Sequence, residues 1–207
     1  MSIKEIAKKR FACKVFDKSK KIPKETIQEV LEIGSLAPSS FGMEGWKVLV
    51  ITNDELKAKL KPLCWNQEQI TTCSDLLVIL SAIKSLKVES NIPQKRLQRR
   101  DLSKEMLEAY IQKYSSFLKS IAKDDKELFC WSARQSYILA TYLMLGAKSL
   151  GVDSCPIEGF EQEKVEELLQ INKDEFRVSL LLPLGYCAMS QPKKVRLPLD
   201  EIIEYLD

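Results

Sequence analysis

One apolar segment, from Ser132 to Leu150, constrains the fold of this chain more than any other. Placed on a helix, it is apolar on almost every side, with Tyr137, Ile138 and Leu143 pointing in different directions. A helix on the surface of a globular protein has only one apolar face, so this helix must be covered by protein on more than one side. The sequence therefore predicts a central helix around which the other elements pack.

Gly151 follows this helix and leads into a short loop. Helices often end at a glycine in the left-handed conformation, and Pro156 restricts the extended piece that comes next. Gly159 allows the backbone to approach a flat ligand closely. We expect the amides of Ile157, Glu158 and Gly159 to be free of helical hydrogen bonds, so this loop is predicted to bind a ligand.

The amino-acid composition limits the kinds of catalytic and metal sites that this chain can form. The chain has 207 residues, 45% hydrophobic and 29% charged, which is ordinary for a single globular domain spanning residues 1–207. It contains no histidine, which excludes Ser-His and Cys-His nucleophile pairs, and we expect no metal site. Its six cysteines are widely spaced without a CxxC pair and are predicted to be reduced thiols. With no basic-apolar leader and no bilayer-length apolar run, we expect a cytoplasmic protein without a membrane partner.

Cations project from one side of two segments near the chain ends. If the backbone is extended, Arg10 and Lys14 share one side of the first segment, and Lys194 and Arg196 share one side of the second, just before Pro198. Such cations can bind a polyanion through charge-assisted hydrogen bonds. The alternative is a solvated surface strand with scattered charge, which the first segment taken alone favours.

The rest of the chain predicts helices with few strands between them. Three segments rich in apolar and β-branched residues are predicted strands, buried on both faces: 46–52, 76–80 and 176–186. Pro183 implies an edge or a bulge in the last of them. In the loop 36–46, the hydroxyls of Ser39 and Ser40 suit a phosphate or a polar cofactor tail. We predict an α+β fold, and the lack of a G-x-G-x-x-G motif after any strand argues against a dinucleotide-binding fold.

Residues 84–127 are highly charged and are predicted to form one or two amphipathic helices that leave the main body, as a lid over a site would. Within them, Lys95, Arg96, Arg99 and Arg100 place cations on adjacent helical turns. A nucleic-acid patch would need interleaved aromatic residues, which are missing here. A solvated helix face is favoured, and with a net charge of +3 we expect no nucleic-acid partner.

Six motifs, in this order, resemble the FMN-dependent NAD(P)H nitroreductases of bacteria over nearly the full length. They are residues 9–17 (KRFACKVFD), 37–40 (APSS) with Trp46, Asn66, Gln135, residues 156–160 (PIEGF) and residues 194–198 (KVRLP). Each motif is weak alone, and their common order makes the resemblance specific. The nearest likeness is to the flavin nitroreductases of Helicobacter and Campylobacter relatives.

The resemblance implies a nitroreductase-like fold, with a central mixed β-sheet flanked by helices, in a domain-swapped homodimer with FMN at the interface. Arg10, Lys194 and Arg196 are expected at the FMN phosphate. Lys14 and Asn66 are expected at the pyrimidine side of the isoalloxazine, where a cation favours the anionic reduced flavin.

The resemblance implies no catalytic side chain, because the chemistry takes place at flavin N5. The amides of Glu158 and Gly159 are expected near that atom, with Lys14 and Glu158 in supporting roles. The loop residues from Pro38 onwards, with Gln135, would reach the flavin from the second subunit. The full expected cofactor-binding set is Arg10, Phe11, Ala12, Lys14, Pro38, Ser39, Ser40, Gly42, Asn66, Gln135, Pro156, Ile157, Glu158, Gly159, Lys194 and Arg196.

The implied activity is ping-pong hydride transfer from NADPH or NADH through FMN to a nitroaromatic, nitrofuran, nitroimidazole or quinone acceptor. Four aromatic residues are candidates to line the substrate pocket, although a core position is the more frequent role of such residues: Phe41, Trp65, Phe129 and Trp131. The rival interpretations are an FMN carrier or sensor without turnover, a reductase of free flavin, and a helical module that binds nucleic acid through residues 95–100.

The sequence departs from the family pattern at several of these positions. Phe11-Ala12 stands where His-Ser is frequent, Gly42 where Asn is common, Gly45 where Pro is common, and Gln69 where many members have a lysine close to the flavin and nicotinamide. The resemblance therefore leaves open the redox potential, the choice between NADH and NADPH, and the physiological acceptor.

Overall fold

A computed structural model describes residues 1–206. The helices are α1 (Ile3–Lys9), α2 (Lys24–Ser35), α3 (Asp54–Leu63), α4 (Gln69–Thr72), α5 (Ile92–Gln98), α6 (Lys104–Ile121), α7 (Asp125–Ser149) and α8 (Gln162–Leu168). The strands are β1 (Trp46–Ile51), β2 (Asp75–Ala82), β3 (Asp153–Ser154) and β4 (Phe176–Gly185). Helices and one sheet confirm the predicted α+β class. Residues 84–127 contain two short 3₁₀ turns followed by α5 and α6, and these two helices confirm the prediction made from the amphipathic pattern.

The four strands form one sheet in the order β1-β2-β4-β3, and each neighbouring pair is antiparallel. The parallel part of the predicted mixed sheet is a single bridge between Ala12 and Ser154. β2 is buried along its whole length. β1, predicted to be buried on both faces, is instead a half-exposed edge strand, because only β2 pairs with it.

Pro183 lies in an interior strand, which corrects the prediction of an edge or a bulge at this position. It pairs with Leu76 of β2, and the register shift in this ladder lies elsewhere, between Ile79 and Leu80. The proline nitrogen cannot donate a hydrogen bond, but its carbonyl accepts one from the Cys155 amide at 3.2 Å. Because β3 is only two residues long, few hydrogen bonds between β3 and β4 are affected by the N–H that Pro183 lacks.

Helix α7 is central, as the apolar segment predicted, and it begins earlier than the apolar pattern does. Asp124 caps it by accepting a hydrogen bond from the Glu127 amide, and Gly151 follows its end at a φ of +79°. A Cβ on Gly146 would lie 2.9 Å from Ile33 Cγ2 of α2, so a glycine is needed for the two helices to approach this closely. Its other face leaves Tyr137 partly exposed, so one chain does not cover the whole helix.

Helices α5 and α6 do not stand away from the main body, because Leu97 of α5 and Tyr114 of α6 are buried in one apolar cluster with Trp131 of α7. Tyr114 is fully buried in this cluster, and its hydroxyl donates to the Leu86 carbonyl at 2.7 Å. At the end of α5, Arg100 donates to the Phe41 carbonyl at 2.9 Å and Arg99 pairs with Glu44 at 3.0 Å. Arg99 and Arg100, two of the four cations considered above as a nucleic-acid patch, thus bind a loop of the same chain.

The prediction that all six cysteines are reduced is wrong for two of them. Cys13 and Cys187 form a disulfide across a sequence separation of 174, with their Cα atoms 5.8 Å apart. Sequence spacing could not reveal this pair, because the antiparallel bridge between Phe16 and Cys187 brings the two ends of the chain together. The remaining cysteines are free thiols, as predicted.

No helix within residues 1–206 is long and apolar enough to cross a membrane. In the same part of the chain, no group of three or more Cys, Asp or Glu residues is arranged to hold a metal ion.

Candidate functional site

Three cations meet where the two ends of the chain come together: Arg10, Lys194 and Arg196, called here the cation cluster. The Lys194 ammonium donates to the Ala7 and Arg10 carbonyls, each at 2.6 Å, which fixes the C-terminal segment beside the end of α1. Burial and the nearby Arg196 lower the pKa of Arg10, while burial, Arg10 and Arg196 lower that of Lys194. Within residues 1–206, none of the three lies within ion-pair distance of a carboxylate.

The segment that follows Arg10 leads towards the glycine-bearing loop. Ala12 pairs with Ser154 of β3, and the Cys13 amide donates to the Ser154 carbonyl at 3.1 Å. Phe11 packs against the apolar core and lies under the Lys148 ammonium. The exposed Lys14 extends its Nζ to within 3.6 Å of the Cys155 sulfur. The structure thus brings residues 10–14 against residues 154–159.

Within that loop, the amides differ in their availability. The Ile157 amide donates to the Leu181 carbonyl of β4 at 2.8 Å, so the expectation that it is free is wrong, because residue 157 extends the sheet by one bridge. Ile157 is also buried, while Pro156 and Glu158 are exposed. The Glu158 carbonyl accepts a hydrogen bond from the Phe160 amide. Within residues 1–206, the Glu158 and Gly159 amides donate no main-chain hydrogen bond, so both are available to a ligand.

A turn between α3 and α4 presses on the same loop. Trp65 and Asn66 both have a φ of +54°, a rare backbone conformation for residues other than glycine that often accompanies function. A Cβ on Gly159 would lie 2.6 Å from the Trp65 ring, so only glycine fits beneath it. Gln67 Nε2 donates to the Gly159 carbonyl at 2.9 Å. The turn therefore fixes the loop from outside and places the exposed Asn66 beside it.

Of the four candidate pocket aromatics, Trp65 is the one open to solvent, with 69% of its surface exposed. Phe41 packs against Tyr114 and Phe117, and Trp131 is buried beside Phe117. Phe129 is partly buried in the same cluster. Three of the four therefore have the core role that is usual for such residues.

A second group of predicted residues lies on the loop between α2 and β1. Gln135 of α7 accepts a hydrogen bond from the Ser40 amide at 2.9 Å, and the Ser39 hydroxyl accepts from the Glu44 amide at 2.8 Å. Gly42 has a φ of +63°, and a side chain there would collide with Arg100. Pro38 is exposed at the start of this group. The structure thus joins Gln135 to the Ser39–Ser40 loop, as the resemblance implied.

Three residues that sequence analysis did not place at the site contact it. Tyr137 of α7 donates a hydrogen bond to Glu158 Oε1 at 2.8 Å. Burial is the main reason that the pKa of Tyr137 is raised to about 12, and the hydrogen bond to Glu158 is the next. Gln67 binds the loop carbonyl, and the buried Cys155 contacts Lys14. An alternation or charge pattern does not single out such residues, although all three neighbour predicted site residues in the sequence or on one helix.

The donors present fit a ligand that carries a phosphate at one end and a flat polar ring at the other. Within residues 1–206 the cation cluster has no carboxylate partner, so each of its cations can form a charge-assisted hydrogen bond to the dianion. The two available loop amides and Lys14 suit electronegative ring atoms. FMN has both parts, so the residues present are compatible with the expected cofactor.

Comparisons with known proteins agree with this geometry. The model of the Nitroreductase family matches residues 7–186. A Haemophilus influenzae relative provisionally named an NAD(P)H nitroreductase is 36% identical, covering 98% of this chain and 95% of its own. A Bacillus subtilis relative with the same provisional name is 31% identical, covering 95% and 94%. A solved structure of an Exiguobacterium sibiricum protein, provisionally a nitroreductase and in complex with FMN, has a TM-score of 0.85 and 28% identity over 100% of this chain and 98% of its own.

Proposed function

Because this chain belongs to the nitroreductase family, we propose that it is an FMN-dependent oxidoreductase that uses NADPH or NADH to reduce nitroaromatic, nitrofuran, nitroimidazole or quinone acceptors by a ping-pong reaction. The observation that carries the proposal is the cation cluster, which lies beside a loop with two available amides. FMN, when bound, supplies the hydride-transfer chemistry, and the protein supplies orientation and electrostatics. Membership of the subgroup formed by the flavin nitroreductases of Helicobacter and Campylobacter relatives stays a prediction.

The cation cluster would hold the FMN phosphate. In the absence of an anion, Arg10 is half-buried next to two other cations, an arrangement that costs free energy. A phosphate dianion offsets this cost by replacing repulsion with charge-assisted hydrogen bonds. Lys194 has an additional role, because its two bonds to main-chain carbonyls hold the C-terminal segment in place.

At the ring end, the protein would donate hydrogen bonds and hold positive charge. The amides of Glu158 and Gly159 would donate to the flavin near N5, and Lys14 would hold a positive charge at the pyrimidine side. Asn66 adds an amide on the same side, fixed by its left-handed backbone. Trp65 would exclude water over this end of the site and present an aromatic surface to a flat acceptor.

A second copy of the chain would complete the site. The outer face of α7 leaves Tyr137 40% exposed and Tyr142 37% exposed, and the C-terminal segment leaves Leu197 61% and Tyr205 87% exposed. Apolar residues exposed in this number are typical of a surface that another protein covers. We propose a homodimer in which the Ser39–Ser40 loop of one copy approaches the flavin of the other. Sedimentation analysis of the purified protein tests the dimer.

The direct test is a spectrum of the purified protein before and after anaerobic NADPH. We expect the visible absorbance of bound flavin to bleach, and to return when a nitrofuran or a quinone is added without oxygen. Retained flavin that neither NADPH nor NADH bleaches would instead support a carrier or sensor. A colourless monomer that FMN cannot reconstitute would refute the proposed function altogether.

A further inference from the structure

A chain of polar contacts joins Lys14 to the loop that carries Gly159. Lys14 Nζ lies 3.6 Å from the Cys155 sulfur, and Gln69 Nε2 lies 3.8 Å from the same sulfur. Gln69 Nε2 also donates to Gln67 Oε1 at 2.9 Å, and Gln67 Nε2 donates to the Gly159 carbonyl at 2.9 Å. We call these five residues the Lys14–Gly159 relay.

The relay is built into the fold and not spread over the surface. Cys155 is fully buried and Gln69 is only 3% exposed, so both must satisfy their polar groups within the protein. Gln67 Nε2 donates to a second carbonyl as well, that of Cys64, at 3.1 Å. These two bonds fix which end of the Gln67 amide faces Gln69, and Gln69 in turn directs its amide nitrogen at the sulfur.

The relay also preserves the positive charge of Lys14. Burial raises the pKa of the Cys155 thiol above its ordinary value, against the opposing effect of Lys14 and Arg10. A neutral thiol can accept a hydrogen bond from the ammonium without cancelling its charge. Lys14 is therefore held at a defined place with its charge available to a ligand, although most of its side chain is exposed.

We propose that Gln69 is a positioning residue that couples Lys14 to the Gly159 loop and thereby sets the preference of the site for reduced over oxidised flavin. This inference rests on the proposed function. A cation held near the pyrimidine stabilises the anionic reduced flavin more than the neutral oxidised one. Loosening Lys14 should therefore weaken binding of reduced FMN more than binding of oxidised FMN. A role confined to packing would weaken both equally.

The test measures the midpoint potential of FMN bound to Gln69→Met, a substitution that keeps the side-chain length and removes the amide. We expect a preference for reduced flavin about tenfold lower, which for a two-electron couple is a potential about 30 mV more negative. Gln162→Met is the matched control, because the Gln162 side-chain amide also donates a hydrogen bond, to the Val178 carbonyl at 2.7 Å, but lies outside the relay. The control should leave the potential unchanged.

A second variant keeps the proposal testable if Gln69→Met does not fold. Gln67→Met breaks the relay from the Gly159 side and should shift the potential in the same direction. The double variant should shift it by no more than the larger single change, because both substitutions interrupt the same contacts. Additive shifts, or a potential that stays with the wild type in both variants, would overturn the inference. Failure of the wild type to bind FMN, or to accept electrons from either NADPH or NADH, would refute the proposed function instead.

Discussion

The cation cluster makes a prediction whose sign depends on whether FMN is bound. In the structure, the half-buried Arg10 guanidinium is desolvated and lies near Arg196, and both effects lower its pKa. Arg10→Met removes the charge, together with the contact of Arg10 Nη1 to the Met144 sulfur at 4.0 Å, and keeps most of the apolar stem. Without FMN, the substitution removes repulsion and should leave the thermal midpoint unchanged or raise it. With FMN, it removes a phosphate contact.

The size of the second effect follows from the kind of bond that is lost. A hydrogen bond to a charged group contributes about 1.5–3 kcal/mol, so FMN should bind about 10- to 150-fold more weakly. With FMN at about 100 times the wild-type Kd, binding stabilises the protein by about 2.7 kcal/mol, and a 30-fold weaker Kd leaves about 0.9 kcal/mol. For a chain of this size, the difference lowers the thermal midpoint by about 4–7 °C.

The assay combines FMN titration, followed by flavin fluorescence, with thermal unfolding at fixed FMN. Lys193→Met is the matched control, since Lys193 is an exposed cation in the same segment as the cluster but is not part of it. It should change the affinity by less than about twofold, as expected of a surface charge. If Arg10→Met lowers the midpoint equally with and without FMN, Arg10 has only a structural role and the phosphate assignment fails.

Other perturbations test the loop, the disulfide and a buried lysine. Gly159→Ala should cost about 1–3 kcal/mol in urea unfolding because its Cβ collides with the Trp65 ring, and combining it with Trp65→Ala should recover part of the loss; no recovery would contradict the contact. Cys13→Ser should cost about 2–4 kcal/mol, and reductant should lower the midpoint of the wild type but not of the variant. The hydrogen bond from Lys57 is the main cause that lowers the pKa of Asp54, so this stabilisation is present above the ordinary Asp pKa and is lost as pH falls through the lowered one. Asp54→Asn should therefore flatten the acid limb of a stability profile, and an unchanged limb would contradict the pairing.

Local patterns predicted the secondary structure well because each depends on neighbours in sequence. The strands predicted at 46–52, 76–80 and 176–186 and the glycine after α7 all appear where the sequence placed them. The same reasoning failed for β1, which is apolar enough for an interior strand but lies at an edge within one chain. Apolar content predicts burial, but it does not say whether this chain or a second copy provides the cover.

The sequence by itself determined that a chain without histidine has no Ser-His or Cys-His nucleophile pair, and that α7 must be central. The meeting of Arg10 with Lys194 and Arg196 was implied by the family resemblance and by no local pattern. Only the tertiary structure decided that Cys13 pairs with Cys187 and that two glutamines link Lys14 to a loop. Periodicity and charge are local properties, and they can be read directly from neighbouring residues in the sequence. Contacts between residues far apart in the chain depend on strand order and on the path of the turns, which no local pattern specifies.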